Sequence, residues 1–220
     1  MDGLDEEERE ALRRKLREEF PEHVEETGGE NFRIEHSLRV HRYVVKLMQR
    51  DEIRELGPDG RVVEAAALLH DVGKAEEVEE GVMNSDGDRH AREGAPRAGE
   101  LASGILDRAG IELLEQVVRN HHSEPETVEG KVLQDADELG KFGVLDVWRM
   151  VTYASEHGET FQDVRDYFWD HYVGKKEEMI EDLEFECSRE VARQRLDRYR
   201  ELVEEMELER RGEDIRTGET

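Results

Sequence analysis

The sequence has 220 residues, of which 58 are acidic and 32 are basic, and its formal net charge is −26 at pH 7. The chain has no basic stripe that could release counterions, which argues against a duplex nucleic acid as a partner. Its single cysteine, Cys187, excludes an intramolecular disulfide, so that any bound metal must be held by histidine and carboxylate.

The acidic residues are spread along the whole chain, and their mutual repulsion weakens a compact state in dilute buffer. Molar salt shortens the Debye length to about 3 Å and removes most of this repulsion. We therefore expect the cytoplasm of a halophile, with an acidic interaction surface as the alternative. We also expect no membrane partner, since no apolar run approaches the ~18 residues that span a bilayer and the first thirty residues lack a signal-peptide core.

The first predicted element is a charged amphipathic helix that starts at Asp5, and the second is a helix over residues 32–49. In the second helix the apolar residues recur at helical spacing. His36 lies four residues before Val40, so we expect it to face inward. His41 lies about 140° around the helix from His36 and is predicted at the surface.

The next helix contains Ala65–Lys74, AAALLHDVGK, an apolar run that ends in His70, Asp71 and Lys74. An imidazole, a carboxylate and an ammonium at the end of an apolar helix carry a desolvation cost unless a metal ion or a substrate is bound there. Neutral imidazole and carboxylate are suitable donors for one metal ion. A capped helix end with a surface His-Asp pair is the alternative, and this stretch alone does not separate the two.

A loop is predicted between Glu76 and Arg89 because the segment is acidic and has no apolar periodicity. His90 follows that loop, and a helix over residues 111–122 places His121 on its apolar stripe with His122 beside it. Residues 129–157 are predicted as the longest helix, with Val144 and Val151 on its apolar face. Since alternating strand patterns are absent, we expect an all-α fold.

The predicted organisation is a charged N-terminal helix in residues 1–30, a central domain over 31–157, helices over 158–209 that complete the same domain, and a flexible tail over 210–220. The apolar and aromatic residues between Phe161 and Phe185 either cover the core or form the face of a homodimer. The sequence leaves both possibilities open.

The metal-capable residues occur in the order H…HD…H…HH…D, at His36, His70-Asp71, His90, His121-His122 and Asp135 or Asp137. This order resembles the HD-domain metal-dependent phosphohydrolase superfamily, a helical fold named after its adjacent His-Asp pair. The resemblance covers about residues 31–149 and implies a helical HD-domain bundle with a C-terminal helical extension.

The resemblance implies one divalent ion, held by His36, His70, Asp71 and a late aspartate. In the superfamily that aspartate stands in an Ala-Asp-x-Leu setting, which selects Asp137. Helical periodicity instead places Asp135 closer to the centre of the apolar face. We expect Asp137 as the ligand and keep Asp135 as the alternative ligand or as a residue that orients one.

A narrower resemblance links the run Glu129–Asp137, EGKVLQDAD, with Gly143 and Arg149 downstream, to small HD hydrolases. Members of that group have been linked to hydrolysis of nucleoside triphosphates to monophosphates and pyrophosphate. This chain has Glu138 where the group usually has a basic residue, and Gly140 where it usually has an acidic one. A cation lost beside the metal would weaken triphosphate binding. We therefore expect the substrate class to be a nucleotide or a related phosphate ester, without selecting a triphosphate.

The expected chemistry is attack of a metal-activated water on phosphorus. The predicted catalytic residues are Asp71, Lys74, His90 and His122, and the predicted substrate contacts are Lys74, His90, His121 and Arg149. The histidine and aspartate donors suit Mn²⁺, Fe²⁺, Co²⁺, Ni²⁺ or Zn²⁺ better than Mg²⁺, and the resemblance implies Mn²⁺ first. A second metal at His90, His121 and His122 is possible, as in some branches of the superfamily.

Two other functions are compatible with the same pattern of residues. One is a di-iron oxygenase on the same scaffold, which would need two irons in each chain. The other is a non-catalytic module that binds a metal or a nucleotide. We prefer the hydrolase because every expected ligand type is present in the sequence.

Overall fold

The computed structural model describes residues 2–20, 32–79 and 89–215, without the side chains of residues 77–79. The described residues form helices and contain no β-strand, only an isolated bridge between Ser103 and Leu106. The all-α fold is thus confirmed. The helices are α1 (Glu6–Glu19), α2 (Phe32–Leu47), α3 (Asp51–Arg54), α4 (Gly60–Leu69), α5 (Lys74–Glu79), α6 (Arg89–Ala102), α7 (Arg108–Arg119), α8 (Val128–Glu138), α9 (Val144–His157), α10 (Phe161–Tyr167), α11 (Val173–Glu181) and α12 (Glu186–Arg211).

The chain divides into two compact units, Met1–Asp137 and Glu138–Thr220. The division falls inside the segment 31–157 that the sequence suggests as one domain, and the domain bounds drawn from the sequence stay a prediction. Within the described ranges, every helix is too short or too polar to cross a membrane. The predicted end of the N-terminal segment, residues 21–31, and the last residues of the tail, 216–220, lie outside the described residues.

Helix α4 lies at the centre of the first unit, and each of its residues from Val62 to Leu69 is buried. The Asp59 side chain caps its start by accepting hydrogen bonds from the backbone N–H groups of Arg61 and Val62. The alanine-rich sequence favours a helix and keeps its surface smooth, so that α2 and α7 can pack closely against it. The polar residues that follow Leu69 are therefore held inside the unit.

Two glycines bring the chain after α4 against α6. A β-carbon on Gly73 would collide with the carbonyl oxygen of His90, and a β-carbon on Gly94 would lie 2.7 Å from the backbone nitrogen of Gly73. Only glycine permits this backbone contact. As a result His90, at the start of α6, comes next to Asp71.

The prediction that His41 lies at the surface is wrong, because this residue is 4% exposed. Its Nε2 atom lies 3.0 Å from Oε2 of Glu64, a buried residue of α4. Arg9 of α1 donates to the same carboxylate, from Nε at 2.7 Å and from Nη2 at 3.0 Å. Helix α2 contacts both α1 and α4, so two of its faces are buried, which the periodicity of a single helix does not reveal.

Two further predictions about the elements need correction. The segment after Glu76 continues as helix α5 to Glu79, while the remainder of the predicted loop, residues 80–88, lies outside the described part. The predicted helix over 129–157 is two helices, separated by a 3₁₀ turn at Leu139–Lys141 and by Gly143 with φ 88°. Because α9 starts anew after this break, Val144 and Val151 are exposed instead of facing the core.

Helices α9 to α12 belong to the second unit, whose core contains several of the aromatic residues singled out in the sequence. Phe168, Tyr172 and Phe185 are buried there, and Phe168 and Tyr172 pack against Tyr199 of α12. Phe168–Tyr172 forms a short π-helical segment between α10 and α11. These side chains therefore cover the core of their own unit.

Candidate metal centre

Five elements of the first unit each contribute to one cluster of side chains. His36 comes from α2, and His70 and Asp71 follow the last residue of α4. His90 lies in the first turn of α6, His121 and His122 follow α7, and Asp137 is close to the end of α8. Helix ends and first turns supply most of these groups because side chains there can point past the packed helices.

One side of the cluster lies around Oδ2 of Asp71. The Nε2 atoms of His36 and His70 are each 3.7 Å from this oxygen and 3.2 Å from each other. On its other side, His36 Nε2 is 3.0 Å from Oδ1 of Asp137. His36, His70 and Asp71 thus present three ligand atoms close enough to hold one metal ion.

The other side of the cluster lies around Oδ1 of Asp71. His90 Nε2 is 3.4 Å from this oxygen and His121 Nε2 is 3.8 Å from it. His122 joins through its Nε2 atom, which lies 3.0 Å from Nε2 of His90. Asp71 with these three histidines forms a second group that could hold a metal ion, so the one carboxylate belongs to both groups.

The protonation of two histidines follows from their neighbours. Nδ1 of His70 lies 3.1 Å from the carbonyl oxygen of Ala67, and Nδ1 of His121 lies 2.6 Å from that of Val118. A carbonyl only accepts hydrogen bonds, so in both rings Nδ1 carries the proton and Nε2 offers a lone pair. A backbone carbonyl behind an imidazole is the usual way to orient a metal ligand.

Burial keeps the imidazoles of His70, His121 and His122 neutral. It lowers the pKa of His121 to about 4, with a further contribution from His70. It likewise lowers the pKa of His122 to about 4, helped by His121 and His90. The pKa of His70 is also lowered, mainly by burial. At neutral pH these rings are therefore lone-pair donors and not cations.

The carboxyl group of Asp71 is ionised even though it is buried. Burial raises its pKa, but the imidazoles of His70 and His90 and the ammonium of Lys74 together hold the pKa well below the ordinary value. Lys74 Nζ donates to Oδ2 at 2.6 Å. This contact places the ammonium of Lys74 on the carboxylate of Asp71.

Two polar atoms in the cluster have no hydrogen-bond partner, although both are buried. They are Oδ1 of Asp71 and Nε2 of His121, which face each other. Both atoms carry lone pairs, and two buried acceptors without a donor between them are costly to desolvate. A divalent cation satisfies such a pair, so the donor set fits a resident metal ion.

The two late aspartates are both buried and lie on α8. Asp137 reaches His36, as described above. Asp135 is two residues earlier, hence about 200° around a regular helix, and points in a different direction.

Arg149 belongs to the second unit, on α9. Its side chain is 68% exposed, with Nη1 3.6 Å from Oδ1 of Asp146. A contact between Arg149 and substrate stays a prediction.

The metal-capable groups consist of residues that the sequence identifies, namely His36, His70, Asp71, His90, His121 and His122. The sequence does not reveal that Asp71 is shared between two groups. It also does not reveal which nitrogen of each histidine faces the centre. Both properties depend on the way in which α2, α4, α6 and α7 pack, and neither has a local signal.

Comparison with known proteins identifies the fold. Residues 33–140 match the family model of the HD domain. A solved structure of a predicted HD superfamily hydrolase from an uncultured Thermotogales bacterium is similar over 94% of both chains, with 22% identity and a TM-score of 0.63. An HD-superfamily hydrolase from Bacillus thuringiensis has 20% identity and a TM-score of 0.65 over 92% of this chain and 96% of its own.

Bacillus subtilis YpgQ, solved in complex with ADP, is similar over 96% of both chains, with 18% identity and a TM-score of 0.61. No curated protein matches the sequence. At these identities the structural similarity concerns the fold.

Proposed function

The chain belongs to the HD-domain superfamily and has the fold of its hydrolases, and on this premise we propose that it is a metal-dependent phosphohydrolase of nucleotides or related phosphate esters. The observation that carries the proposal is the convergence of His36, His70 and Asp71, whose ligand atoms lie close enough together to hold one ion. Asp137 lies beside them, with Oδ1 3.0 Å from His36 Nε2.

The proposed ligands of the resident ion are His36, His70, Asp71 and Asp137. The choice of Asp137 over Asp135 is supported by its distance of 3.0 Å from His36. Two imidazoles with two carboxylates suit Mn²⁺, Fe²⁺, Co²⁺, Ni²⁺ or Zn²⁺, and Mg²⁺ less well, and Mn²⁺ comes first by the resemblance to the superfamily. When bound, a divalent ion supplies charge stabilisation for phosphoryl oxygens and lowers the pKa of water.

Lys74 is the proposed phosphate contact. Its side chain is 22% exposed, and its ammonium lies 2.6 Å from Oδ2 of Asp71. A divalent ion held by Asp71 would supply the positive charge that this carboxylate takes from Lys74, and the flexible side chain of Lys74 would then be free to contact the phosphate oxygens of a substrate. Phosphoryl transfer depends mostly on positioning and on neutralisation of charge, which is what an ammonium beside the centre provides.

His90 and His122 are the proposed proton donors to the leaving oxygen. Their Nε2 atoms lie 3.0 Å apart, so one of the two must donate to the other. His90 is buried, whereas His122 is exposed to solvent. Because the pKa of His122 is lowered to about 4, the ring is neutral at rest, and the pair would relay a proton from water to the leaving oxygen without storing it. His121 borders the same space and is a proposed substrate contact or ligand.

A second metal ion is the main alternative arrangement of this site. The two unsatisfied atoms belong to the group of Asp71, His90, His121 and His122, and this observation favours a second ion there. A carboxylate with one oxygen toward each group is the usual bridge between two ions. A di-iron oxygenase would use the same arrangement, so the number and type of metal distinguish the two functions.

The nucleotide as substrate is supported by one relative. The similar structure of YpgQ holds ADP, although the two chains share 18% identity. A nucleotide offers both the phosphates that Lys74 can contact and an ester or anhydride bond to hydrolyse. The specific substrate is the part of the proposal that depends most on experiment.

The test is elemental analysis of protein purified in high salt, together with release of phosphate and pyrophosphate from a panel of nucleotides. We expect one or two divalent ions in each chain and turnover that Asp71→Ala abolishes. Asp107→Ala removes a carboxylate that caps α7 and serves as a control with unchanged metal content. Two irons with oxygen consumption and no phosphate release would replace the hydrolase by an oxygenase. Metal retained without any turnover would indicate a binding module.

A further inference from the structure

Helix α9 of the second unit exposes an unusual number of large apolar side chains. Among the described residues, eleven large hydrophobic side chains are exposed, and five of them lie on this helix. Trp148 is the most exposed of the eleven, at 76%. The five are Val144, Leu145, Trp148, Val151 and Tyr153. An apolar surface concentrated in this way indicates an interface, because scattered apolar residues on a surface are ordinary and a cluster is not.

This surface carries less acid than the remainder of the chain. The sequence has a net charge of −26, yet no exposed residue between Val144 and Ser155 is acidic, and the exposed acid of α9 is Glu156 in its last turn. Asp146 is buried and accepts a hydrogen bond from Tyr172. Arg149 adds an exposed positive charge, which balances that of Glu156. An acidic protein therefore meets less repulsion on this face than on the remainder of the chain.

A cavity opens beside these exposed side chains. Its volume is about 350 Å³, and α9, α10 and α12 contribute its walls. Val151 and Ser155 are exposed on α9 and also line the cavity, and its interior is formed by Met150, Phe168 and Tyr199 among others. The lining is mainly apolar, and the space is large enough for an indole ring.

From these observations we propose that a second copy of this chain covers α9, with Trp148 of each copy inserted into the cavity of the other. The protrusion and the cavity are adjacent on the same helix, which is the self-complementary arrangement that a two-fold symmetric dimer requires. Tryptophan is the residue type most enriched at the energetic centre of such interfaces. Because exposed acid on α9 is confined to its last turn, another copy of this acidic chain is an acceptable partner.

The oligomeric state of the full chain in molar KCl tests the proposal by sedimentation equilibrium over a range of concentrations. We expect a species of twice the chain mass of 25.6 kDa. Trp148→Ala should weaken the dimer by about 30-fold or more. The matched control is Trp169→Ala, since Trp169 is the only other tryptophan and is 40% exposed outside α9.

Two additional measurements separate insertion of Trp148 from a general apolar contact. Val164→Trp fills the cavity from within, and should weaken the dimer although Trp148 remains. In a Trp169→Phe background, the emission of Trp148 should shift to shorter wavelength as dimer forms. Circular dichroism checks that each variant is folded.

The proposal is overturned by a wild-type monomer at every concentration, or by an unchanged dimer in Trp148→Ala. An unchanged dimer in Val164→Trp would exclude the inserted arrangement. A monomer that carries a small apolar molecule in native mass spectrometry would also overturn the proposal, by showing that the cavity has a different occupant.

Discussion

Two buried carboxylates, Glu64 and Asp71, lie seven residues apart in the sequence and so point to nearly the same side of α4 and the turn after it. Both are next to histidines of α2, and both are almost inaccessible to solvent. Their surroundings nevertheless differ. Glu64 accepts three hydrogen bonds from Arg9 and His41. Asp71 accepts one from Lys74, and its second oxygen has no donor.

The difference separates a structural ion pair from a site that is prepared for a ligand. A buried charge is tolerated where hydrogen bonds and an opposite charge satisfy it, as at Glu64. Asp71 instead has the ammonium of Lys74 on one oxygen, while its other oxygen faces histidine nitrogens without a hydrogen bond, so this side of the carboxylate can accept a further cation. Both sites combine a buried carboxylate with histidine and a basic residue. The orientation of the hydrogen-bond donors and acceptors around the carboxylate decides between the two roles.

The largest expected difference is between Asp71→Asn and Glu64→Gln, the same replacement of a carboxylate by its amide at the two sites. Asp71→Asn should reduce turnover by about three orders of magnitude or more and release the metal, because a metal ligand contributes several kcal/mol to the transition state. Its free energy of unfolding, measured without metal, should fall less than that of Glu64→Gln, since Asp71 accepts a hydrogen bond from Lys74 whereas Glu64 accepts three. Turnover, metal content and urea denaturation measure these changes.

Glu64→Gln should show the opposite pattern. Loss of a buried charge that pairs with Arg9 and His41 should lower the free energy of unfolding by about 3 kcal/mol, with the metal content unchanged. Equal loss of metal in both variants would contradict the distinction between the two carboxylates.

The loss of stability in acid should also identify Glu64 as the carboxylate that stabilises the fold. Burial raises its pKa, but hydrogen bonds from His41 and Arg9 outweigh this effect and lower the pKa from 4.5 to about 2. Because the pKa is lower in the folded state, the unfolded chain binds the proton first as the pH falls. Ionised Glu64 therefore contributes roughly 3 kcal/mol to the free energy of unfolding above pH 4.5, and this contribution is lost as the pH falls toward 2.

Urea midpoints of wild type and Glu64→Gln should therefore converge as the pH is lowered through this range. Subtracting the variant removes the titration of the other carboxylates, which both proteins share. A difference that stays constant down to about pH 2 would contradict the assigned pKa.

A smaller effect is expected at Lys74, which donates to Oδ2 of Asp71. Lys74→Met should reduce turnover by roughly 10- to 100-fold, because one cation near the phosphate is lost. The variant should retain its metal, since a cation that competes for Oδ2 has been removed. Lys74→Arg keeps the charge and is the control, and it should lose less activity than the methionine variant. Metal loss in Lys74→Met would show that this lysine supports the centre structurally.

The smallest effect should be that of salt on stability, because it is spread over many exposed charges. Melting temperature should rise by several degrees from dilute buffer to molar KCl, because the dispersed charge of −26 is screened. The destabilisation in Glu64→Gln should persist at high salt, since a buried pair is screened much less. A melting temperature that does not respond to KCl would remove the main reason for expecting a halophile.

The sequence predicts the elements and the membership of the site well where the signal is local. Apolar periodicity identifies helices, and the order H…HD…H…HH…D places the metal-capable residues on their ends. Prediction from the sequence fails where the packing of several helices decides which residues are buried and where a helix ends. His41 was expected at the surface from the geometry of one helix, but α1 and α4 both bury it. The break at Gly143 divides a helix that periodicity alone extends to His157.

By itself, the sequence determined the all-α fold, the family and the set of candidate ligands, because residue type, spacing and order are properties of the linear chain. Only the tertiary structure decided that Asp71 is shared by two groups of histidines and that Glu64 is satisfied. Those outcomes depend on which nitrogen or oxygen atoms of distant residues face each other. Packing of α2, α4, α6 and α7 sets these distances, and a linear pattern does not contain them.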